Sequence, residues 1–223
     1  MATPAPPHPA SSSSSLDAIT QLTPSTPTSS KPSTTTTTST GFQFPREYHF
    51  PPFFTRQPNL STRHSQQSKW ASLILSYCAH HRLYKLTLTS PATADLFHNR
   101  RLDRRLGLAD AREVLEFMRR DGRVEFIHAG GSGSKGAEDE GDVVWVYWRT
   151  PEEWAALVEA WVEETAQKGT VLTLYELAQG DATIGTEFHG LDPELLQKAL
   201  QVLVKRNKAQ IFGQEDQLGV KFF

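Results

Sequence analysis

The sequence is poor in cysteine and has no long apolar run. Cys78 is the single cysteine among 223 residues, so no internal disulfide can form, and this favours a reducing compartment. No stretch is long and apolar enough to span a bilayer, so we expect any membrane role to be peripheral or to act through partners. The formal net charge of −2 argues against general affinity for nucleic acids, which requires an excess of basic residues.

Motifs for catalysis and metal binding are also lacking. The chain contains no phosphate-binding loop, nucleophile elbow or zinc-protease motif. His80 and His81 lie close to Cys78, but zinc requires four ligands and no second Cys-His cluster exists. We interpret His189 with Asp192 as turn chemistry near a helix start. The sequence therefore predicts an interaction protein with no enzymatic activity, no cofactor and no metal site.

Residues 1–41 consist mostly of Ser, Thr and Pro. Such a composition cannot bury enough apolar surface to offset the entropy lost on ordering, so we predict a disordered low-complexity tail. A transit peptide would be rich in Arg, but the first Arg of the chain is Arg46.

Residues 42–58 form an arm that combines aromatic rings with prolines. Proline removes a backbone donor and disfavours the α region for the residue before it, so we predict an extended backbone close to polyproline II. An extended segment cannot bury its own rings. Either the arm packs on its own domain or it inserts into a partner protein, and we favour the partner because Pro-rich aromatic segments often bind in this way.

Two sets of helices and strands follow the arm. In the first set, apolar spacing predicts a helix over 59–82 with Ser61 or Thr62 as its cap, a short helix from Ser90 and a third helix over 108–120. Residues 86–89 are expected to form an extended link, and residues 99–105 a basic connection. Strands are predicted over 124–127 and 143–148, joined by a flexible hairpin tip at 129–142.

The second set repeats this order. Thr150 and Pro151 open its first helix, Thr173 and Glu176 form a capping box for a short helix, and Asp192 opens a third helix. Strands are predicted over 209–212 and 218–222. Apolar residues on one face of each long helix are predicted to form a buried stripe, which in the first helix includes Trp70 and Cys78. These residues recur at equivalent places in both sets, for example Trp70 with Trp154.

Three helices followed by a hairpin describe a winged helix, and the repeat, offset by roughly 85 residues, indicates two such domains. We predict a mainly helical α+β fold with tandem winged helices at 59–148 and 149–223. Each copy is small for a domain, so the two are expected to pack against each other. The junction at Trp148–Thr150 leaves no room for a flexible linker, so a rigid rod is expected.

Winged helices commonly bind DNA through the third helix, so a nucleic-acid-binding or transcription-associated protein is the alternative function. The residues argue against it, because the third helix of the second set begins with Asp192 and Glu194 and the first hairpin tip carries Glu138–Glu140. The strongest evidence for nucleic-acid binding is a basic run that could bind phosphates, formed by Arg100, Arg101, Arg104 and Arg105. Such a run is more often a solvated face or a protein contact.

Several separate motifs, in the same order, resemble one family. They are Tyr48–Pro58, Arg149–Trp154, Leu172–Leu177, Glu187–Asp192 and Gly219–Phe223. The chain from about Phe44 to its C-terminus is similar to the vacuolar protein sorting-associated protein 25 family, the small subunit of the ESCRT-II complex.

The resemblance implies a non-catalytic adaptor in the endosomal sorting of ubiquitinated membrane cargo to multivesicular bodies. It implies a Y-shaped complex in which two copies of this subunit join one copy each of two larger ESCRT-II subunits. The arm would dock on a larger subunit, and the second winged helix would bind an N-terminal helix of an ESCRT-III subunit. The implied location is the cytoplasm, with peripheral recruitment to the endosomal membrane through the complex and no direct contact with nucleic acid.

In relatives the arm can hold two motifs of the form Pro-Pro-x-Tyr. The stretch Pro51–Phe54 keeps both prolines and has Phe where Tyr can stand, and Phe44–Tyr48 keeps one proline and the ring. The implied partner-binding residues are Phe44, Pro45, Tyr48, Phe50, Pro51, Pro52, Phe53 and Phe54. On this interpretation, replacing Phe53 and Phe54 by Ala would release the partner and leave both domains folded.

Overall fold

A computed structural model of the chain describes residues 41–127, 143–213 and 218–223. The predicted tail therefore lies outside the described residues except for Gly41, and the predicted hairpin tip at 129–142 lies outside them entirely. None of the described helices combines the length and the apolar character that crossing a bilayer requires.

The first winged helix follows the arm. Its elements are α1 (Leu60–His80), β1 (Lys85–Thr87), α2 (Ala94–Phe97), β2 (His98–Asn99), β3 (Arg104–Arg105), α3 (Leu108–Arg120), β4 (Val124–Phe126) and β5 (Val143–Val146). A 3₁₀ turn at Pro91–Thr93 leads into α2, with Ser90 as its cap. The wing sheet has the antiparallel order β1-β5-β4, and β2 pairs with β3 separately.

Some details of this domain differ from the prediction. Asn59 caps α1, because its side-chain oxygen accepts hydrogen bonds from the backbone N–H groups of Ser61 and Thr62 at 2.9 and 3.2 Å. The predicted link at 86–89 contains a strand, since Leu86 pairs with Val144 across the wing sheet. The basic connection likewise contains β2 and β3. Local signals do not reveal a strand whose partner lies far along the chain.

The second winged helix repeats the first. Its elements are α4 (Pro151–Glu164), β6 (Val171–Thr173), α5 (Leu174–Gln179), a 3₁₀ turn at Asp181–Thr183, α6 (Pro193–Lys205), β7 (Ala209–Phe212) and β8 (Gly219–Phe222). Its wing sheet has the antiparallel order β6-β8-β7, equivalent to that of the first, and β6 was not predicted. The tandem winged-helix fold that the repeat predicts is confirmed.

The helices of the second winged helix begin where the sequence places their caps. At α4, the N–H of Glu153 donates to the Thr150 hydroxyl at 3.3 Å, and the N–H of Thr150 donates to the Glu153 carboxylate at 2.7 Å. Thr173 and Glu176 form the same box at α5, and Asp192 caps α6. Each cap satisfies backbone donors that the helix leaves unpaired.

Each winged helix has its own apolar core around the predicted helix stripes. Trp70 and Cys78 of α1 are fully buried in the first core, and Trp154 and Val162 of α4 are buried at the equivalent places in the second. Burial raises the pKa of the Cys78 thiol to about 12, so this thiol stays protonated at neutral pH. Its role is packing, as its place on the predicted stripe indicates.

The outer face of the first wing sheet packs on the second winged helix. Trp145 and Tyr147 belong to the second core, with exposures of 3% and 5%, and Ile127 packs against that core. Lys198 of α6 donates from Nζ to the Glu125 carboxylate at 2.7 Å and to the Tyr147 hydroxyl at 2.9 Å. The second winged helix therefore covers the side of the sheet that the first core leaves open.

Further polar contacts hold the edge of this junction. The Nζ atom of Lys85 lies 4.4 Å from the centre of the Trp145 ring and 3.0 Å from the Glu194 carboxylate. Arg82 donates from Nη2 to the backbone carbonyl of Glu187 at 2.7 Å. Together with the apolar contacts, these groups hold the two domains against each other, as the small size of each domain predicts.

The pair of Glu125 and Lys198 should make the stability of the junction depend on pH. Partial burial of Glu125 opposes its ionisation, but hydrogen bonds from Lys198 and Tyr147 outweigh this effect and lower its pKa below the ordinary value of 4.5. The contribution of the pair is therefore fully present above the ordinary value and is lost as the pH falls through the lowered, folded-state value. Glu125→Gln should lower the free energy of unfolding near neutral pH. On acidification, the free energy of unfolding of this variant should fall less than that of the wild type.

The measurement is urea unfolding of both proteins from about pH 6 to about pH 3. Glu163→Gln is the matched control, because Glu163 also pairs with a lysine, Lys168, at 2.8 Å, but this pair lies within the second winged helix and not at the junction. Its effect should be smaller than that of Glu125→Gln, because a single surface ion pair contributes little. A constant difference between wild type and Glu125→Gln across the range would contradict the pH dependence.

Candidate partner-binding arm

The arm consists of two short 3₁₀ turns, Arg46–His49 and Pro51–Phe54, joined by an extended residue, Phe50. The predicted continuous extended strip is therefore wrong. Prolines lie at the starts of both turns, where their fixed φ is compatible with the turn and no backbone donor is needed. The N–H of Tyr48 donates to the Pro45 carbonyl at 3.0 Å and closes the first turn.

Most rings of the arm pack on the chain's own first winged helix. Five of them are between 1% and 7% exposed and belong to the first core: Phe42, Phe44, Tyr48, Phe53 and Phe54. The Phe53 ring stacks on the Trp70 ring with centroids 4.4 Å apart, and Phe44 stacks on Tyr48 at 4.0 Å. The structure thus favours packing of these rings within the chain, which was the less favoured interpretation of the sequence.

Buried hydrogen bonds fix the backbone of the arm. The Trp70 indole donates to the Phe53 carbonyl at 3.0 Å, and the Asn99 amide donates to the Tyr48 carbonyl at 2.7 Å. Gln66 donates to the Phe53 carbonyl at 2.7 Å. Sequence reasoning missed Gln66 and Asn99, because nothing in their local pattern shows which distant carbonyl they reach.

The Tyr48 hydroxyl donates to the backbone carbonyl of Asp95. Burial raises the pKa of Tyr48, and the negative charge of Asp95 adds to the effect. The hydroxyl therefore stays protonated and remains a hydrogen-bond donor at physiological pH. The ring and the hydroxyl of Tyr48 both anchor the arm to the first winged helix.

A smaller part of the arm faces outward. Phe50 is 61% exposed, and Pro51 and Pro52 are exposed beside it. We call these three residues the arm corner. They are consecutive apolar residues at the start of the second turn, with the buried rings of Tyr48 and Phe53 on either side. The predicted partner-binding set thus divides into exposed residues and internal anchors.

A groove of about 420 Å³ runs between the arm and α1. Pro45, Phe53 and Leu73 supply apolar walls, and Ser72 and Lys69 supply polar ones. Pro45 is exposed here, so this groove extends the accessible apolar surface of the arm beyond the arm corner.

Other residues singled out by the sequence have structural roles. Arg100 forms a salt bridge with Asp95 at 3.1 Å, and Arg104–Arg105 is a strand of the small ladder. The Nδ1 atom of His189 lies 3.0 Å from the Thr183 hydroxyl, in agreement with turn chemistry.

The histidine pair near Cys78 packs against the arm. The Phe42 ring lies 5.3 Å from the His80 ring and 6.1 Å from the His81 ring, measured between centroids. Over the part of the chain that the structure describes, no group of three or more His, Cys, Asp or Glu side chains is placed to hold a metal ion.

Comparison with known proteins identifies the family. A family model described as "ESCRT-II complex subunit" matches residues 47–192. The chain belongs to this family. The relatives include Vacuolar protein-sorting-associated protein 25 of Xenopus laevis, 41% identical over 82% of this chain and 99% of the relative, and that of Homo sapiens, 41% identical over 82% and 98%.

Solved structures of the ESCRT-II family agree. The crystal structure of subunit VPS25 of the endosomal trafficking complex ESCRT-II matches with a TM-score of 0.69 and 29% identity, over 80% of this chain and 98% of that chain. The VPS22/VPS25/VPS36 complex structure contains a chain that matches with a TM-score of 0.68 and 30% identity, over the same shares. These matches confirm the resemblance seen in the sequence. The chain is an ESCRT-II subunit of vacuolar and endosomal protein sorting, a non-catalytic component, and the nucleic-acid alternative is not supported.

The stacking of Phe53 on Trp70 makes the arm part of the folded core of this ESCRT-II subunit. Phe53→Ala should therefore lower the free energy of unfolding of the isolated chain by about 3 to 5 kcal/mol, because it removes a buried ring and leaves a cavity. Chemical denaturation followed by circular dichroism measures this loss.

Phe50→Ala is the matched control, because it removes the same side chain from an exposed position of the same arm. It should change the free energy of unfolding by no more than about 0.5 kcal/mol. Equal stability of the two variants would mean that the arm is not packed on the first winged helix.

Proposed function

We propose that this ESCRT-II subunit is the small adaptor that docks on the two larger subunits of the complex through its arm. The supporting observation is the arm corner, an apolar surface of Phe50, Pro51 and Pro52 that the chain exposes although the neighbouring rings are buried. In the solved ESCRT-II complex, one chain of which resembles this protein, VPS25 occurs with VPS22 and VPS36. Two copies of this chain, each docked by its arm, would complete a hetero-tetramer.

The buried anchors make the arm corner suitable for docking. Because Phe53 and Tyr48 fix the two turns on the first winged helix, Phe50 and the two prolines lose little conformational freedom when a partner covers them. Prolines also offer rigid apolar surface that suits aromatic-lined grooves. We therefore assign the contact with the partner to Pro45 and the arm corner, and the positioning of that surface to Phe44, Tyr48, Phe53 and Phe54.

We assign the recruitment of an ESCRT-III subunit to the second winged helix. This domain exposes several large apolar side chains: Val171, Tyr175, Ile184, Phe212 and Phe223. Val171 and Phe212 belong to the wing sheet of this domain, and an amphipathic helix could bury its apolar stripe against exposed apolar side chains of this kind. The sorting step served is the delivery of ubiquitinated membrane cargo to multivesicular bodies, with the chain in the cytoplasm and at the endosomal membrane through its complex.

The arm corner can be tested separately from the anchors. A variant with Phe50, Pro51 and Pro52 replaced by Ala should keep the thermal stability of the wild type but lose both larger ESCRT-II subunits in a pull-down. The reason is that exposed residues contribute little to folding, whereas apolar residues buried at an interface account for much of the binding energy.

Leu60→Ala is the control for that experiment, because Leu60 is an exposed apolar residue just outside the arm. It should retain both subunits. If the larger subunits remain bound to the triple variant, the docking surface lies elsewhere. Variants of Phe53 do not answer this question, because they also disturb the core.

A further inference from the structure

The small ladder of β2 and β3 lies beside the arm. Strand β3 is close to the second turn of the arm, Pro51–Phe54, whose two prolines belong to the arm corner. The Asn99 amide of β2 donates to the carbonyl of Tyr48, which lies in the first turn, at 2.7 Å. A partner that covers the arm corner therefore also approaches this ladder.

The register of the ladder shows which of its two arginines lies on the side of the arm. Arg104 pairs with Asn99, and Arg105 pairs with His98. Residues directly opposite each other in an antiparallel ladder point to the same side, and successive residues point to opposite sides. Asn99 points to the arm, because its amide reaches the Tyr48 carbonyl. Arg104 therefore lies on the arm side of the ladder, and Arg105 lies on the far side.

The charge of Arg104 is not neutralised by the rest of the described chain. Arg104 is exposed, and it forms no salt bridge with a carboxylate of the described residues. Arg100 differs in this respect, because it is paired with Asp95 at 3.1 Å. The guanidinium of Arg104 is therefore available to a partner, whereas that of Arg100 is engaged within the domain.

The position of Arg104 indicates the chemistry of its partner. A guanidinium group binds a carboxylate through two parallel hydrogen bonds, and it is less strongly hydrated than the ammonium of lysine. The exposed ring of Phe50 and the two prolines of the arm corner supply apolar surface close to the ladder. Arginine is enriched together with aromatic residues in protein interfaces. This combination suits a polypeptide that presents apolar side chains and a carboxylate.

A membrane surface or a nucleic acid would present phosphates to the same arginine. Asp103 comes directly before Arg104, and its side chain is fully exposed, with Oδ1 3.8 Å from Nε2 of His98. A carboxylate at this position repels a surface of phosphates. Since Arg100 is also engaged by Asp95, the basic run offers a phosphate surface less charge than its sequence suggests. The described residues therefore favour an acidic group on a folded protein.

We propose that Arg104 is the charged rim of the arm corner and pairs with a carboxylate of the larger ESCRT-II subunit that docks there. The apolar residues of the arm corner hold the partner, and Arg104 selects by charge the surface that they accept. A surface with a basic group at this place is rejected, because like charges would meet. This inference rests on the proposed docking through the arm and adds to that site a residue from outside the arm.

The test measures binding of the full chain to the purified pair of larger ESCRT-II subunits by surface plasmon resonance. Arg104→Glu should weaken binding about tenfold, because it places two negative charges opposite each other. Arg105→Glu is the matched control, because it makes the same change of charge on the far side of the same ladder. It should bind like the wild type. Thermal unfolding of both variants shows that the first winged helix remains folded.

The dependence on salt separates an ion pair from lost packing. The difference in affinity between wild type and Arg104→Glu should shrink as the salt concentration rises from about 0.05 M to about 0.5 M, because salt screens charges at an exposed rim. Arg105→Glu should follow the wild type at each salt concentration. A loss of affinity in Arg104→Glu that is the same at every salt concentration would overturn the ion pair.

A charge exchange identifies the group that Arg104 meets. Replacing exposed acidic residues of the larger subunits by Lys, one at a time, should give one change that restores binding to Arg104→Glu and weakens binding to the wild type. Equal binding of wild type, Arg104→Glu and Arg105→Glu would overturn the role of Arg104 and leave docking by the arm corner intact. Full binding by the variant with Phe50, Pro51 and Pro52 replaced by Ala would overturn the docking itself.

Vesicles that contain phosphatidylserine test the lipid alternative with the same variants. The wild-type chain should not bind them more tightly than Arg104→Glu does. If the wild type binds the vesicles, Arg104→Glu does not, and both bind the larger subunits equally, the partner of Arg104 is a lipid phosphate and the assignment to a carboxylate is overturned.

Discussion

A three-stranded sheet has two faces, and the helices of one winged helix cover only one of them. This constraint determines how the described chain is arranged. In the first domain the inner face meets its own helices, and the outer face, with Trp145 and Tyr147, meets the second domain. Lys198 and Glu125 then form an ion pair at the edge of an apolar contact, where two hydrogen bonds satisfy the carboxylate. The two domains are thereby held as one structural unit.

The same constraint leaves the outer face of the second sheet exposed. The second sheet repeats the order and the pairing of the first, but among the described residues no domain packs on its outer face as the second winged helix packs on the first. Its outer face therefore exposes Phe212 and Phe223, whose equivalents in the first domain are covered. An adaptor needs surfaces of this kind, because it acts through the proteins that it joins. The arm provides a second surface of different construction at the other end of the sequence.

The arm illustrates a division of roles within a short segment. Its buried rings stabilise the first domain, and the residues between them bind outward partners under our proposal. Phe53 and Phe50 are chemically identical and three positions apart, yet one stacks on Trp70 and the other is exposed. A binding surface held in this way is ordered before the partner arrives, which reduces the entropy lost on association. The stability of the domain and the affinity for the partner can therefore be altered by different substitutions.

The sequence alone determined much of the fold. The limits of α3, the caps at Thr150, Thr173 and Asp192, the buried stripes and the repeat were all readable, because helix periodicity and capping act over a few residues. The resemblance to ESCRT-II subunits was carried by such short stretches as well. The sequence also led to the hypothesis that the arm binds a partner, but it did not show which arm residues are buried and which are exposed.

Only the tertiary structure decided which arm residues are buried and which are exposed. Strands β1 and β6 exist because distant partners pair with them. The arm is fixed because Trp70 stacks on the Phe53 ring and Asn99, far along the chain, donates a hydrogen bond to the Tyr48 carbonyl. The covering of one wing face and the exposure of its equivalent also depend on how the domains pack. Contacts between residues distant in sequence leave no local pattern, and these contacts fix which side chains of this protein remain available to a partner.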